Sequence, residues 1–309
     1  MTPRSAVVAP PRPDDRPLRR AAAILAMARP SQLLLITGVV LLGVAAARAG
    51  GAAFDLFVLL LGLAVVLTVA ASIRLANEYA DHETDARTTR TPFSGGSGTL
   101  ARTGVPRSLA LRAAQVAVIV GLGGATAAWA AGLLTDSALA ILVAGLVGGW
   151  AYSTGPFALA WRGLGEVANG LLGGMLLPLY GVGLVGGAID GYAVAASLPL
   201  TIFVTANLLA TTWPDRAADA AVGKRTLATR WSPRRLRTLF ALLAIAAVAV
   251  LVLQAVGPGP LVVALAGLSA VPLLAVGLAT YTRRESPFPT VAAMVWLVVA
   301  QLAAWLVVG

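Results

Sequence analysis

The sequence predicts an all-α, polytopic membrane protein of nine transmembrane helices, and three observations carry that prediction. The 309 residues are 58% hydrophobic and 12% charged, with a mean hydropathy of +0.85, whereas a soluble domain carries about a quarter charged residues. Apolar stretches of roughly 18 to 24 residues recur along the chain, each long enough to cross a hydrocarbon core of about 30 Å as a helix. The runs are continuous rather than alternating, and a bilayer accepts only helices or closed barrels, because backbone polar groups must be satisfied internally. Continuous runs select helices.

The spans fall near 31–48, 54–77, 108–131, 137–154, 165–186, 192–212, 235–256, 260–280 and 288–308. Before them, residues 1–28 are Pro- and Arg-rich and read as a disordered basic cytoplasmic tail, leaving 29–309 as a single membrane domain. The connections sort by charge. Arg4, Arg12, Arg16, Arg19, Arg20 and Arg29 precede the first span; Arg87, Arg90, Arg102 and Arg107 follow the second; Arg162 follows the fourth. Arg216, Lys224, Arg225, Arg230 and Arg234 follow the sixth, and Arg283 and Arg284 the eighth. The alternate connections carry only Arg48 as a basic residue, beside Asp55, Asp136 and Asp190. Positive charge stays on the cytoplasmic side, so the N-terminus is expected there, in the plasma membrane of the cell. The net charge of +10 is accounted for by these positions and gives no reason to expect nucleic acid. The absence of cysteine excludes disulfides, Cys-based metal sites and Cys nucleophiles.

Two cytoplasmic connections, roughly 78–107 and 213–234, are longer than a turn requires, and long loops tend to be functional or disordered. The first opens with "NEYADHETD" (77–85), in which Asn77, Asp81 and Asp85 recur every four residues. If the second helix continues past 85 they share one face. "DRAAD" repeats the device with Asp215 and Asp219. Solvated helix ends with ordinary surface charges would explain either motif alone. Like charges four residues apart cost a helix a few tenths of a kcal/mol, and a cation would offset that cost; hard oxygen ligands suit Mg²⁺. The neighbouring Arg and Lys residues fit a phosphorylated substrate, in which Mg²⁺ and basic side chains clamp a diphosphate as leaving group.

Other residues have competing readings. Arg74 lies just inside the second span, either as a functional group near the Asp stripe or as a snorkelling interfacial Arg. Tyr152 and Ser153 end the fourth span, where an interfacial Tyr is common. Asn169 and Asn207 are expected to hydrogen-bond between helices. His82 and Glu83 are expected to point away from the Asp81 face, and Glu78 likewise. "SGGSG" (94–98) is either a backbone phosphate cradle or a flexible glycine loop. In "GLLGGMLLPLYG" (170–181) small residues permit close packing and Pro178 introduces a kink.

"NEYADHETD" and "DRAADAAVGKRTLATR" resemble the two Asp-rich motifs of the UbiA superfamily of intramembrane prenyltransferases, N-x-x-x-D-x-x-x-D and D-x-x-x-D followed by Gly-Lys-x-Thr-Leu. The nine spans match as well. "RTPFSGGSGTL" (90–100) and "YSTGPFALAWRGLGE" (152–166) are similar to segments of the MenA-like branch, which prenylates dihydroxynaphthoate. The sequence departs from that branch at Thr211, Thr212, Trp213 and Pro214, where the branch usually has Asn-Asn-x-Arg.

The resemblance implies nine helices around a central cavity open at the cytoplasmic side, and an activity. Asn77, Asp81, Asp85, Asp215 and Asp219 would hold two Mg²⁺ ions on the diphosphate of a polyprenyl donor. Lys224, with Arg225 or Arg90, would face its charge, and Tyr152 and Ser153 would meet substrate; Arg74 joins the expected substrate-binding residues by its position beside the Asp stripe. An aromatic acceptor, best read as a naphthoate or related quinone precursor, would capture an allylic cation away from water. The partners implied are these two substrates and membrane lipid, with no protein partner required. Two alternatives stay open: a membrane terpene cyclase using the same donor, and a cation-binding transporter. The transporter reading suffers because its binding groups belong near the midplane, and these acids cluster at one face.

Overall fold

Proline and small polar caps set where the helices begin. The computed structural model describes residues 17–309, and among these it contains helices and no strand. A short amphipathic helix, α1 (Pro17–Met27), precedes nine helices of membrane-crossing length. These are α2 (Pro30–Ala49), α3 (Leu56–Ala80), α4 (Arg107–Ala130), α5 (Asp136–Ser153) and α6 (Gly165–Leu184), then α7 (Gly191–Thr212), α8 (Pro233–Val256), α9 (Leu261–Thr280) and α10 (Phe288–Val308). Pro30 and Pro233 occupy first-turn positions, where a missing N–H costs nothing. At the other side of the bundle, Asp55, Thr135 and Asp190 cap α3, α5 and α7, accepting from Phe57 N at 2.7 Å, Ala138 N at 3.1 Å and Ala193 N at 2.9 Å. Each cap satisfies a backbone donor that the helix itself leaves orphaned.

The expected disordered tail is corrected at its C-terminal part: residues 17–27 are helical, because Ala23 and Met27 share an apolar face and pack beside Leu75, Ala76, Leu100 and Ala110. Residues 1–16 lie outside the described residues.

Helix α3 packs along α4; α2 packs along the second half of α6; α7 meets the first half of α6 and also α8; α10 closes against α2 and α9. Six helices, α2, α3, α5, α6, α7 and α10, surround a central cavity. The α2–α6 crossing depends on glycine. A Cβ at Gly43 would overlap the Pro178 carbonyl, and one at Gly181 would overlap the carbonyl of Val40. Small residues let the two backbones touch.

Proline shapes two helices. Pro178 cannot donate to the Gly174 carbonyl, and the preceding stretch Gly170–Leu176 is wound as a π-helix. The expected kink is thus realised as a local widening of the helix. Pro199, inside α7, leaves the Ala195 carbonyl without its helical donor, and Gln254 Nε2 of α8 supplies one at 2.8 Å. Lipid offers no such donor.

Candidate active site

The first acidic motif keeps its helical register across the end of α3. Asp81 N donates to Asn77 O and Asp85 N to Asp81 O, both at 2.8 Å, although α3 ends at Ala80 and a separate turn, His82–Asp85, follows. Asn77, Asp81 and Asp85 therefore face one cavity, as expected from their spacing, while Glu83 is 71% exposed. In the second motif Asp219 N donates to Asp215 O at 2.8 Å, placing both carboxylates on the same cavity wall. The chain then reverses at Gly223 (φ 81), and Lys224 N donates to Asp219 O at 2.9 Å. That turn aims Lys224 inward. Its Nζ lies 3.0 Å from Asp81 Oδ1 and 3.7 Å from Asp219 Oδ1, joining the two motifs.

The cavity has a volume of about 350 Å³ and changes character with depth. Its outer part presents the five motif residues, Lys224, Arg29 and Arg74; its inner part is walled by Ile36, Val39, Val69, Ile141, Leu177 and Val298. Tyr152, Asn169, Asn207, Thr211 and Thr212 stand between. The two asparagines were expected to pair between helices. Both instead line the cavity, and Asn207 Oδ1 is buried there without a hydrogen-bond partner. Arg74, from within α3, reaches the cavity wall beside the acidic motif.

Burial pushes Asp85 up to about 7, assisted by the charge of Asp81. Burial likewise raises Asp219 to about 7, against the opposing pull of Lys224. Asp215 rises to about 6; burial dominates, and the Gly95 N–H and Ser94 hydroxyl resist it. For Lys224, burial favours the neutral amine, but Asp81 and Asp219 outweigh it and lift the pKa above the ordinary lysine value. One ammonium does not offset the burial of the carboxylates around it.

Unpartnered oxygens beside these groups bear on a metal. Asn77 Oδ1, Asp215 Oδ1 and Asp219 Oδ1 are buried and lack hydrogen-bond partners. These are hard oxygen donors, suited to Mg²⁺. Among the described residues no three His, Cys, Asp or Glu side chains converge into a closed metal cluster. The arrangement therefore fits an ion taking one or two carboxylates and completing its shell with water and substrate phosphate.

Three expected site residues fall outside the cavity wall. Arg90 is exposed and lays its side chain over Gly98. Arg225 is exposed, its backbone N–H donating to Trp161 O at 3.1 Å, because the turn that points Lys224 inward points its neighbour outward. Ser153 is buried but lies about 100° around α5 from Tyr152.

One buried cluster was not foreseen. Glu78, expected to face elsewhere, is 3% exposed and organises the loop. Its Oε1 accepts from Arg29 Nη2 at 2.8 Å and Ser97 N at 2.7 Å, and its Oε2 accepts from Ser97 Oγ at 2.7 Å. The "SGGSG" stretch is thus anchored rather than free. Gly96 (φ 65) sits where a Cβ would overlap the Asp85 carboxylate, so glycine is required for the loop to close over the first motif.

A model of the UbiA prenyltransferase family matches residues 34–307. The chain belongs to that family. It is a multi-pass integral membrane protein, by its nine apolar helices and its family. Against a 1,4-dihydroxy-2-naphthoate octaprenyltransferase of Bacillus subtilis (strain 168), it is 27% identical over 194 residues, 60% of this chain and 59% of that relative's length. Two solved UbiA homologues share the fold. One, from Archaeoglobus fulgidus and bound to GPP and Mg²⁺, superposes with a TM-score of 0.67 at 17% identity, covering 93% of this chain and 99% of that one. The other, an apo structure from Aeropyrum pernix K1, gives 0.67 at 16% identity over 88% and 97%.

Proposed function

We propose that this UbiA-family chain catalyses Mg²⁺-dependent transfer of a polyprenyl group from polyprenyl diphosphate to an aromatic acceptor, a naphthoate or related quinone precursor. The observation that carries the reading is Lys224 set between Asp81 and Asp219 at the mouth of an apolar cavity. A charged head group and a greasy tail are accommodated in one continuous space. The Archaeoglobus homologue's bound GPP and Mg²⁺ and the Bacillus relative's naphthoate activity support the choice of substrates.

Bound with the diphosphate, Mg²⁺ would neutralise charge on the departing oxygens. The chain's own residues do the rest. Asn77, Asp81, Asp85, Asp215 and Asp219 present oxygens from both motifs, and Lys224, Arg29 and Arg74 face the phosphate charge. The donor's C–O bond breaks with its electron pair going to diphosphate. The allylic cation is held among apolar side chains that exclude water. A ring carbon of the acceptor forms the new C–C bond, and the ring then releases a proton. Thr211 and Thr212 stand beside this region of the wall, so they help set acceptor choice. The Arg-rich connections support an orientation with this end of the bundle in the cytoplasm and the protein in the plasma membrane.

Purified protein supplied with Mg²⁺ and labelled geranylgeranyl diphosphate, with and without a panel of aromatic acceptors, tests this. Acceptor-dependent diphosphate release with a prenylated ring is expected. A cyclic hydrocarbon formed without acceptor would replace transfer by cyclisation. No release with any donor, together with unchanged behaviour of Asp81→Ala and Asp215→Ala variants, would overturn both.

A further inference from the structure

A second cavity, of about 390 Å³, lies on the far side of Leu200 from the first and reaches the connections at 50–52 and 186–190. Four of the six helices around the first cavity also wall the second, each contributing residues further toward the opposite membrane face. On α2 the wall passes from Val39 to Gly43 and Ala46; on α6 from Leu177 to Pro178 and Val182; on α10 from Val298 to Gln301 and Trp305. On α7 it passes from Val204 through Leu200 to Ser197 and Ala193. Leu200, 1% exposed, is the residue that lines both spaces. It stands about 16 Å below Thr211 along α7, with about 10 Å more of cavity wall down to Ala193.

The lower space suits hydrocarbon. Its wall is built largely from Gly and Ala, together with Leu42, Val182 and Trp305. Two of its polar groups are already engaged: Ser197 Oγ donates to Ala193 O and Asp190 Oδ1 accepts from Ala193 N, both at 2.9 Å. Gly43 and Pro178, which also line this space, pack backbone against backbone, a contact that cannot yield. Leu200 is a single side chain able to change rotamer.

We propose that Leu200 is the length-setting residue of the donor site, and that the lower cavity receives the distal isoprene units of a long polyprenyl chain once Leu200 swings aside. This rests on the functional reading above. A short tail ends above Leu200 and does not sense it. A long one must displace it, so the cost of moving this one side chain falls only on long donors.

The test compares geranyl, farnesyl, geranylgeranyl and octaprenyl diphosphates, with Mg²⁺ and a working acceptor, in the unaltered protein, Leu200→Ala, and Leu200→Ala combined with Ala196→Phe. Leu200→Ala is expected to raise kcat/KM for the long donors relative to geranyl diphosphate by about tenfold or more, the scale of fitting or misfitting a few methylenes in a pocket. Ala196→Phe, which fills the lower cavity, is expected to cancel that gain. An unchanged donor ratio in Leu200→Ala, or a gain that survives Ala196→Phe, overturns the inference and leaves the prenyl transfer reading intact. Failure of the unaltered protein to turn over every donor overturns the functional reading and this inference with it.

Discussion

Lys224 and Asp81 are 143 residues apart in sequence and 3.0 Å apart in space. With Asp219 at 3.7 Å on the other side, the ammonium is the electrostatic link between the two halves of the site. It is 12% exposed, so its attraction is weakly screened.

Replacing Lys224 by Met keeps much of the side chain's bulk and leaves the facing carboxylates without their counter-charge. Loss of one positioned donor to a developing anion typically costs about 10²–10³ in rate, and diphosphate release is expected to fall by that factor while helical circular dichroism is retained. Lys224→Arg restores the charge but not the compact ammonium geometry, so it should recover part of the rate. A Met variant as active as the unaltered protein would remove Lys224 from the mechanism.

The raised carboxylates make a prediction about pH. Asp85 and Asp219 titrate near 7 and Asp215 near 6 in the metal-free chain, against an ordinary 3.8. Between about pH 4 and 7 the folded chain therefore holds more protons than the unfolded one, and these groups' contribution to stability is lost as pH rises through 7. Metal binding needs the ionised forms. Mg²⁺ is expected to raise the unfolding temperature of detergent-solubilised protein at pH 8, and to have little effect at pH 5.5. Equal stabilisation at both values would show that these carboxylates do not hold the ion.

Glu78 supports the loop that carries Ser94 and Gly95 to Asp215. Glu78→Ala removes the acceptor of both Ser97 bonds and leaves Arg29 without its partner, a loss of about 1–3 kcal/mol, softened because Arg29 is 25% exposed. Residues 91–98 should become cleavable by added protease, with the nine apolar helices intact. Glu78→Gln keeps an acceptor oxygen and should sit between. Protection equal to the unaltered protein would show that the loop is held by other contacts.

The periodic features of this fold could be read directly from the chain. Nine apolar runs, the side on which arginines gather, and the four-residue recurrence of Asn77, Asp81 and Asp85 are one-dimensional signals that translate into one face or one membrane side. What the sequence could not convey was pairing. Glu78 sits between Asn77 and Tyr79 with nothing to mark it, and its partners Arg29 and Ser97 are 49 and 19 residues away. Arg90 and Arg225 illustrate the converse. Their charge and proximity to the motifs suggested the site, but the loop turns decide direction, and those depend on positive-φ glycines such as Gly95, Gly98 and Gly223. Asn207 was misjudged because a polar residue in an apolar helix has two uses, a neighbouring helix or a cavity, and periodicity does not distinguish them.

The pairing of Gln254 with the Ala195 carbonyl shows how far such hidden contacts reach into stability. Pro199 cannot donate to Ala195 O, and the bond from Gln254 Nε2 at 2.8 Å replaces the missing one. Gln254→Leu removes the donor of an exposed bond near the ends of both helices, so a cost of about 0.5–1.5 kcal/mol is expected. Combining it with Pro199→Ala returns the N–H that the helix lacked, and the double variant should regain most of the loss. Thermal unfolding in detergent, read as a double-mutant cycle, separates this from simple loss of side-chain packing. If Pro199→Ala fails to rescue Gln254→Leu, the amide contributes through packing alone and the repair of α7 lies elsewhere.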